Sequence, residues 1–101
     1  MKRAESQVAP SSGADDRELI GRIRKGDETA LSALMSQYSR RVFAVAFRVL
    51  RMKPDAQEVT QDVFFAVWRS PERFDAARGP LLTWLVILSR SRALDLLRRM
   101  H

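Results

Sequence analysis

Asp27 to Leu50, DETALSALMSQYSRRVFAVAFRVL, is the stretch that decides the fold. Leu31, Leu34, Met35, Tyr38, Val42, Val45, Ala46 and Val49 recur at steps of three and four, the period of a helix with one buried stripe. Arg40, Arg41, Arg48 and Arg51 fall outside that stripe. Asp27 opens the run as an N-cap, because its carboxylate can accept from backbone N–H groups two or three residues on. A long amphipathic helix is the expectation, and it needs partners to cover its apolar side.

Those partners lie on both flanks. Upstream, Leu19, Ile20 and Ile23 predict a short helix from Asp16 to Lys25, stopped by Gly26. Residues 1–14 mix Ser, Ala, Gly, Pro and charge without periodicity and are expected to be a disordered lead-in. Downstream, Pro54 suits a first helical turn, and Asp55 and Glu58 suit the positive end of the dipole. A third helix should therefore run to about Arg69, with Val59, Val63, Ala66 and Val67 on one face and Phe64, Phe65 and Trp68 widening it. Ser70 to Gly79 breaks the pattern, and Pro80 restarts it as a first-turn residue. From Leu81 to Leu88 only Thr83 is not apolar, which places that segment at the centre of the bundle. No alternating strand pattern and no internal repeat occurs. The fold class is all-α, a compact bundle of about four helices with an irregular loop between the last two.

Composition limits what such a bundle can do. The chain has 101 residues, 46% of them apolar, enough for one small domain with a modest core. Its formal charge of +6 comes almost wholly from arginine, the better planar fork for phosphate, so an anionic partner is expected. Without cysteine there is no disulfide framework, thiolate metal site or thiol nucleophile. His101 is the lone histidine, no Gly-rich phosphate loop or metal-ligand spacing is present, and the carboxylates are scattered among arginines. No enzyme, cofactor or metal is expected. No apolar run approaches the roughly 20 residues of a membrane span, and the N-terminus lacks the apolar segment of a signal peptide, so the protein is expected to be soluble and cytoplasmic.

The last third, Trp68 to His101, joins a basic, aromatic-bearing loop to a helix whose first half is apolar and whose second half is rich in arginine. Phosphate attraction needs the arginines and base stacking needs rings, so a nucleic-acid-facing surface follows. A plainer origin exists for several of these residues. Trp84 sits in an apolar run and is read as core rather than as a stacking platform, Trp68 ends its helix beside the loop and is open to either role, Phe74 either captures a base or pins the loop, and Arg98 and Arg99 also suit the negative end of the helix dipole.

Three segments carry a family resemblance. They are Gly26-Asp27-Glu28-Thr29-Ala30-Leu31, then Ala56-Gln57-Glu58-Val59-Thr60-Gln61-Asp62-Val63-Phe64 with Val67-Trp68, and Leu82-Thr83-Trp84-Leu85 running into Ser91-Arg92-Ala93-Leu94-Asp95-Leu96-Leu97-Arg98-Arg99. Each alone is a weak helical pattern, but their order and spacing over most of the chain are specific. Together they resemble region 2 of bacterial sigma factors of the extracytoplasmic-function (ECF) group, which assigns residues 15–101 to one sigma region 2-like domain. The resemblance implies a domain that binds the clamp helices of the RNA polymerase β′ subunit and recognises the −10 promoter element as it opens into single strand. It also implies an anti-sigma factor as a partner. Region 4, the second domain of such proteins, is not found in these residues, so the chain is expected to be part of a longer protein. Where many ECF members have Arg-Asn, this chain has Arg90-Ser91. Serine offers one hydroxyl in place of asparagine's paired donor and acceptor, so the resemblance does not carry the promoter preference at that contact.

On this resemblance, Trp68, Arg69, Arg73, Phe74, Arg78, Arg90, Ser91, Arg92 and Arg98 are the DNA-binding candidates, with Arg99 extending the basic track. The loop from Ser70 to Gly79 is the expected base-capture segment, since its backbone groups are free to read a base. Glu58, Gln61, Asp62 and Phe65 are the polymerase-binding candidates. The rival is a basic helical interaction module, regulated by an anti-sigma-like partner, that makes no direct contact with DNA. A membrane-surface role is a third and weaker reading, because the apolar part of the last helix is too symmetric to present an exposed face.

Overall fold

The computed structural model describes residues 13–101, with side chains from Asp15 onward. Helix α1 spans Gly13–Arg24, α2 Glu28–Leu50, α3 Lys53–Arg69 and α4 Leu81–Met100, with two single 3₁₀ turns, Pro71–Arg73 and Ala76–Arg78, between α3 and α4. Helix α1 thus starts three residues before the expected Asp16. The rest of the expected lead-in, residues 1–12, lies outside the described residues.

The junction from α1 to α2 follows from local chemistry. Gly26 adopts φ +82°, and its N–H donates to the Ile23 carbonyl while that of Asp27 donates to the Arg22 carbonyl. This is the paired-bond C-terminal motif in which glycine avoids the Cβ penalty of left-handed backbone. Asp27 caps α2, as expected, by accepting from the N–H groups of Thr29 and Ala30. The Thr29 hydroxyl at 2.6 Å and Arg22 Nε at 2.9 Å complete the cluster.

The Thr29 and Arg22 side chains, followed by the backbone donors of Thr29 and Ala30, lower the Asp27 pKa from 3.8 to about 2 against an opposing effect of burial. A depressed carboxylate pKa contributes stability that is complete above about pH 3.8 and is lost as pH falls through about 2. Thermal melts between pH 2 and 5 should therefore show a steeper acid loss in the wild type than in Asp27→Asn; parallel curves would remove Asp27 from the acid response.

Helix α2 packs against α1, α3 and α4 and is the centre of the bundle. Its buried residues, Ala30, Leu34, Tyr38, Val42, Ala46 and Leu50, step by four throughout. A four-residue step drifts around a helix of 3.6 residues per turn, so the stripe spirals and meets different neighbours along its length. The periodic set named from sequence is therefore only partly in the core. Met35 is 37% exposed, Leu31, Val45 and Val49 are half-buried, and Ala30 and Leu50 join the buried row. The four arginines lie outside it as expected.

Helix α3 buries Ala56, Val59, Val63, Phe64 and Val67, with Pro54 in its first turn. Helix α4 buries a single row, Leu81, Leu85, Ser89 and Ala93, and the Ser89 hydroxyl donates to the Val42 carbonyl at 2.8 Å. The expectation that the whole segment 81–88 is central is corrected. Ile87 is 60% exposed, and Leu82, Trp84, Val86 and Leu88 are half-buried, because α4 lies at the edge of the bundle with α2 and α3 on one side. The apolar part of α4 is therefore not the symmetric one expected but leaves Ile87 on an exposed face. Even so, among the described residues no helix is long and apolar enough to cross a membrane.

A buried carboxylate ties the two ends of the fold together. Asp16 is 1% exposed, accepts from the Tyr38 hydroxyl at 2.8 Å and accepts from the Leu81 N–H at 3.4 Å. Leu81 is the first residue of α4, and Pro80 before it has no side chain able to cap. The positive end of α4 is thus met by a carboxylate 65 residues away in sequence.

Candidate functional site

The face formed by α3, the 3₁₀ turns and α4 gathers most of the predicted residues. An open groove of about 410 Å³ is lined by Asp62, Phe65, Ala66, Arg69, Ser70, Arg73, Trp84, Leu88 and Arg92. Three arginines and one aspartate give it a positive balance. Phe65 is 56% exposed, and the Arg69 guanidinium lies 4.5 Å from its ring centroid, a cation–π contact that holds the arginine over the ring.

A second concavity of about 190 Å³ adjoins the first and shares Arg73 and Trp84 with it. Phe74, Asp75, Arg78, Gly79, Pro80, Thr83 and Ile87 complete its lining. The loop expected to be irregular is ordered by short-range bonds: Asp75 accepts from the Ala77 N–H, and Pro71 is buried. Gly79, at φ +133°, follows the second 3₁₀ turn and leads the chain into α4. The Phe74 and Trp84 ring centroids are 5.9 Å apart and the planes are tilted by 33°. Phe74 is half-buried, so it both pins the loop to α4 and keeps an edge in the cavity.

Trp84 is the lining residue that the sequence did not mark as part of the site. It packs against the core yet is half-buried and forms a wall of both concavities. Its apolar neighbours favoured the core over a stacking platform. No neighbour in the sequence marks this, because a three-residue offset from Leu81 leaves Trp84 on the flank of the face that α4 buries.

Other predicted residues are placed elsewhere. Trp68, half-buried, lines a separate shallow cleft with Ile23, Arg24 and Gly26 on the α1 side. Glu58 lies with Asp62, Arg92, Asp95 and Arg99 around a small cleft of about 150 Å³. Gln61, Arg90 and Ser91 are exposed outside these concavities, and Arg98 is exposed and ion-paired with Asp95. Helical spacing puts Ser91 and Arg98 on the stripe of α4 that carries Trp84, and puts Glu58, Gln61, Asp62 and Phe65 on one exposed stripe of α3.

The arrangement suits a polyanion that also offers flat apolar groups: separated cations line a groove, and an aromatic pair stands where the two concavities meet. Among the described residues no cluster of histidine, cysteine or carboxylate side chains could hold a metal ion.

Comparison with known proteins gives the same direction. The chain is 33% identical over 89 residues to the ECF RNA polymerase sigma factor SigK of Mycobacterium tuberculosis H37Rv, covering 88% of this chain and 48% of that protein. It is 32% identical over 92 residues to the SigK of Mycobacterium ulcerans, covering 90% of this chain and 49% of that protein. With the SigK of Mycolicibacterium vanbaalenii it is 36% identical over 80 residues, or 79% and 41% of the two chains. The chain thus spans about half the length of the curated relatives it matches. No solved structure matches significantly. The family model of Sigma-70 region 2 matches residues 34–101, which take in most of α2, all of α3, the loop and α4: the chain belongs to the Sigma-70 region 2 family, a domain of the sigma factors of transcription initiation.

Proposed function

We propose that this domain binds RNA polymerase core through the β′ clamp helices, and that it recognises and helps melt the promoter −10 element as single-stranded non-template DNA. The observation that carries the reading is the pair of adjoining concavities that share Arg73 and Trp84. A separated strand needs cations for its phosphates and a sheltered place for an unstacked base, and the two lie side by side here. Arg69, Arg73, Arg78 and Arg92 would track the phosphates, with Arg90, Ser91 and Arg98 continuing along α4. Phe74 and Trp84 would wall the base pocket, and Trp68 would contact the strand from the far side of the loop. Backbone carbonyls of the loop would read the base edge, since the N–H groups expected to be free at Arg73, Phe74, Ala77, Arg78 and Gly79 already donate within the loop.

The polymerase contact would use the exposed stripe of α3, with Phe65 as the apolar anchor and Glu58, Gln61 and Asp62 as its polar surround. An anti-sigma factor that covers either face would hold the domain inactive, and the site of action would be the cytoplasm.

Single-strand binding tests the DNA half. Anisotropy titrations of a labelled oligonucleotide at several salt concentrations should give a log–log salt slope that falls by about 1.4 in the Arg73→Ala, Arg78→Ala double variant, since each phosphate contact to single strands contributes about 0.7. Affinity at low salt should drop roughly tenfold. An unchanged slope in a folded variant would take both residues off the DNA surface, and failure of the parent chain to bind any single strand would favour the interaction module without DNA contact.

A further inference from the structure

Asp16 lies outside both concavities, yet its partners lead to one of them. Its Oδ2 accepts from the N–H of Leu81, which directly follows Gly79 and Pro80, two residues of the loop pocket's lining. Its Oδ1 accepts from Tyr38 in the middle of α2, so the carboxylate is held on the rigid centre of the bundle. The start of α4 has no capping side-chain bond from its own N-cap residue, and Thr83 and Trp84, within the same first turn, also line the pocket. Helix α1 also backs the loop directly: Ile20 and Gly21 share a shallow depression with Glu72 and Phe74.

We propose that Asp16 is a positioning residue for base recognition: by anchoring the first turn of α4 to Tyr38, it sets the width of the pocket between the loop and Trp84. The claim rests on the reading that this pocket receives an unstacked base. A carboxylate suits the task because it can accept from two donors at once and also favours the positive end of the helix. Its asparagine counterpart keeps the shape and one acceptor oxygen but faces one of the two donors with an N–H group.

The test uses this chain, its Asp16→Asn and Tyr38→Phe variants and two single-stranded probes of equal length, one a mixed-base pool and the other abasic along its centre. The wild type should bind the base-bearing probe more tightly. In folded Asp16→Asn that preference should fall at least threefold, while the salt slope and capture of a β′ clamp-helix fragment stay unchanged, because no phosphate or polymerase contact has been altered. A role confined to stability would leave the preference intact, and an intact preference in folded Asp16→Asn overturns the proposal. If Asp16→Asn does not fold, Tyr38→Phe, which removes the hydroxyl alone, decides by the same comparison with about a twofold fall expected. Hydrogen exchange separates this proposal from the function it rests on. Faster exchange at Gly79 to Thr83 in the variant, with α2 still protected, supports the anchoring link even if the wild type shows no base preference and the DNA reading fails. Unchanged exchange there overturns the link itself.

Discussion

Asp62→Arg is expected to lower capture of a purified β′ clamp-helix fragment by about two orders of magnitude, roughly 2.7 kcal/mol, with thermal stability held within about 0.5 kcal/mol of the parent. Asp62 is exposed on α3, forms no ion pair among the described residues and lies one turn from exposed Phe65. A partner that places basic groups opposite it would meet a like charge in the variant, and juxtaposed like charges at an interface cost several kcal/mol. The new arginine would also stand near Arg92, with which Asp62 lines two concavities, but exposed charges are largely screened by solvent and salt. A pull-down at moderate salt, with a melt of each protein, reads both quantities. Undiminished capture would remove Asp62 from the polymerase surface, and a large loss of stability would mark it as structural.

The second large effect concerns the core. Asp16→Ala should destabilise the domain by about 2–4 kcal/mol, because hydrogen bonds to charged groups are worth about 1.5–3 kcal/mol and the Tyr38 hydroxyl and Leu81 N–H would be left buried without this acceptor. For a domain of this size that corresponds to a fall in Tm of roughly 10–25 °C, and it would consume much of a typical 5–15 kcal/mol stability. Glu18→Ala, two residues on and exposed, serves as the control and should stay within about 0.5 kcal/mol. Denaturant unfolding of both variants measures the difference. Equal midpoints would mean that Asp16 is not a structural tie.

The contrast between Asp27 and Asp16 shows what a sequence makes legible. Asp27 acts on N–H groups two and three residues ahead, within a motif that includes the glycine before it, so its role could be read from neighbours alone. Asp16 acts on residues 22 and 65 positions away, and nothing beside it in the chain marks it as buried. Ser89 is similar. As one polar residue just past an apolar run it carries no signal, yet it bonds the Val42 carbonyl 47 positions away. The site divides in the same manner. That Arg69, Arg73, Phe74, Arg78 and Arg92 gather around adjoining concavities was legible because arginines and a ring flank a Pro- and Gly-bounded break, whereas the positions of the two tryptophans were not, since burial of an aromatic residue depends on what packs over it.

The sequence by itself determined that the described residues make four α-helices, where these begin and end to within a few residues, and that the chain is basic. Those properties arise from capping, periodicity and composition, which act over one or two turns. Only the tertiary structure decided which side of each helix is covered: Ile87 is exposed within an apolar run, Trp84 forms the wall of two concavities, Trp68 turns toward α1, and a carboxylate of α1 holds the start of α4. The physical reason is that a helix buries whichever stripe meets its neighbours, and on α2 a four-residue step carries that stripe around the axis, so the buried set is fixed by the arrangement of partners.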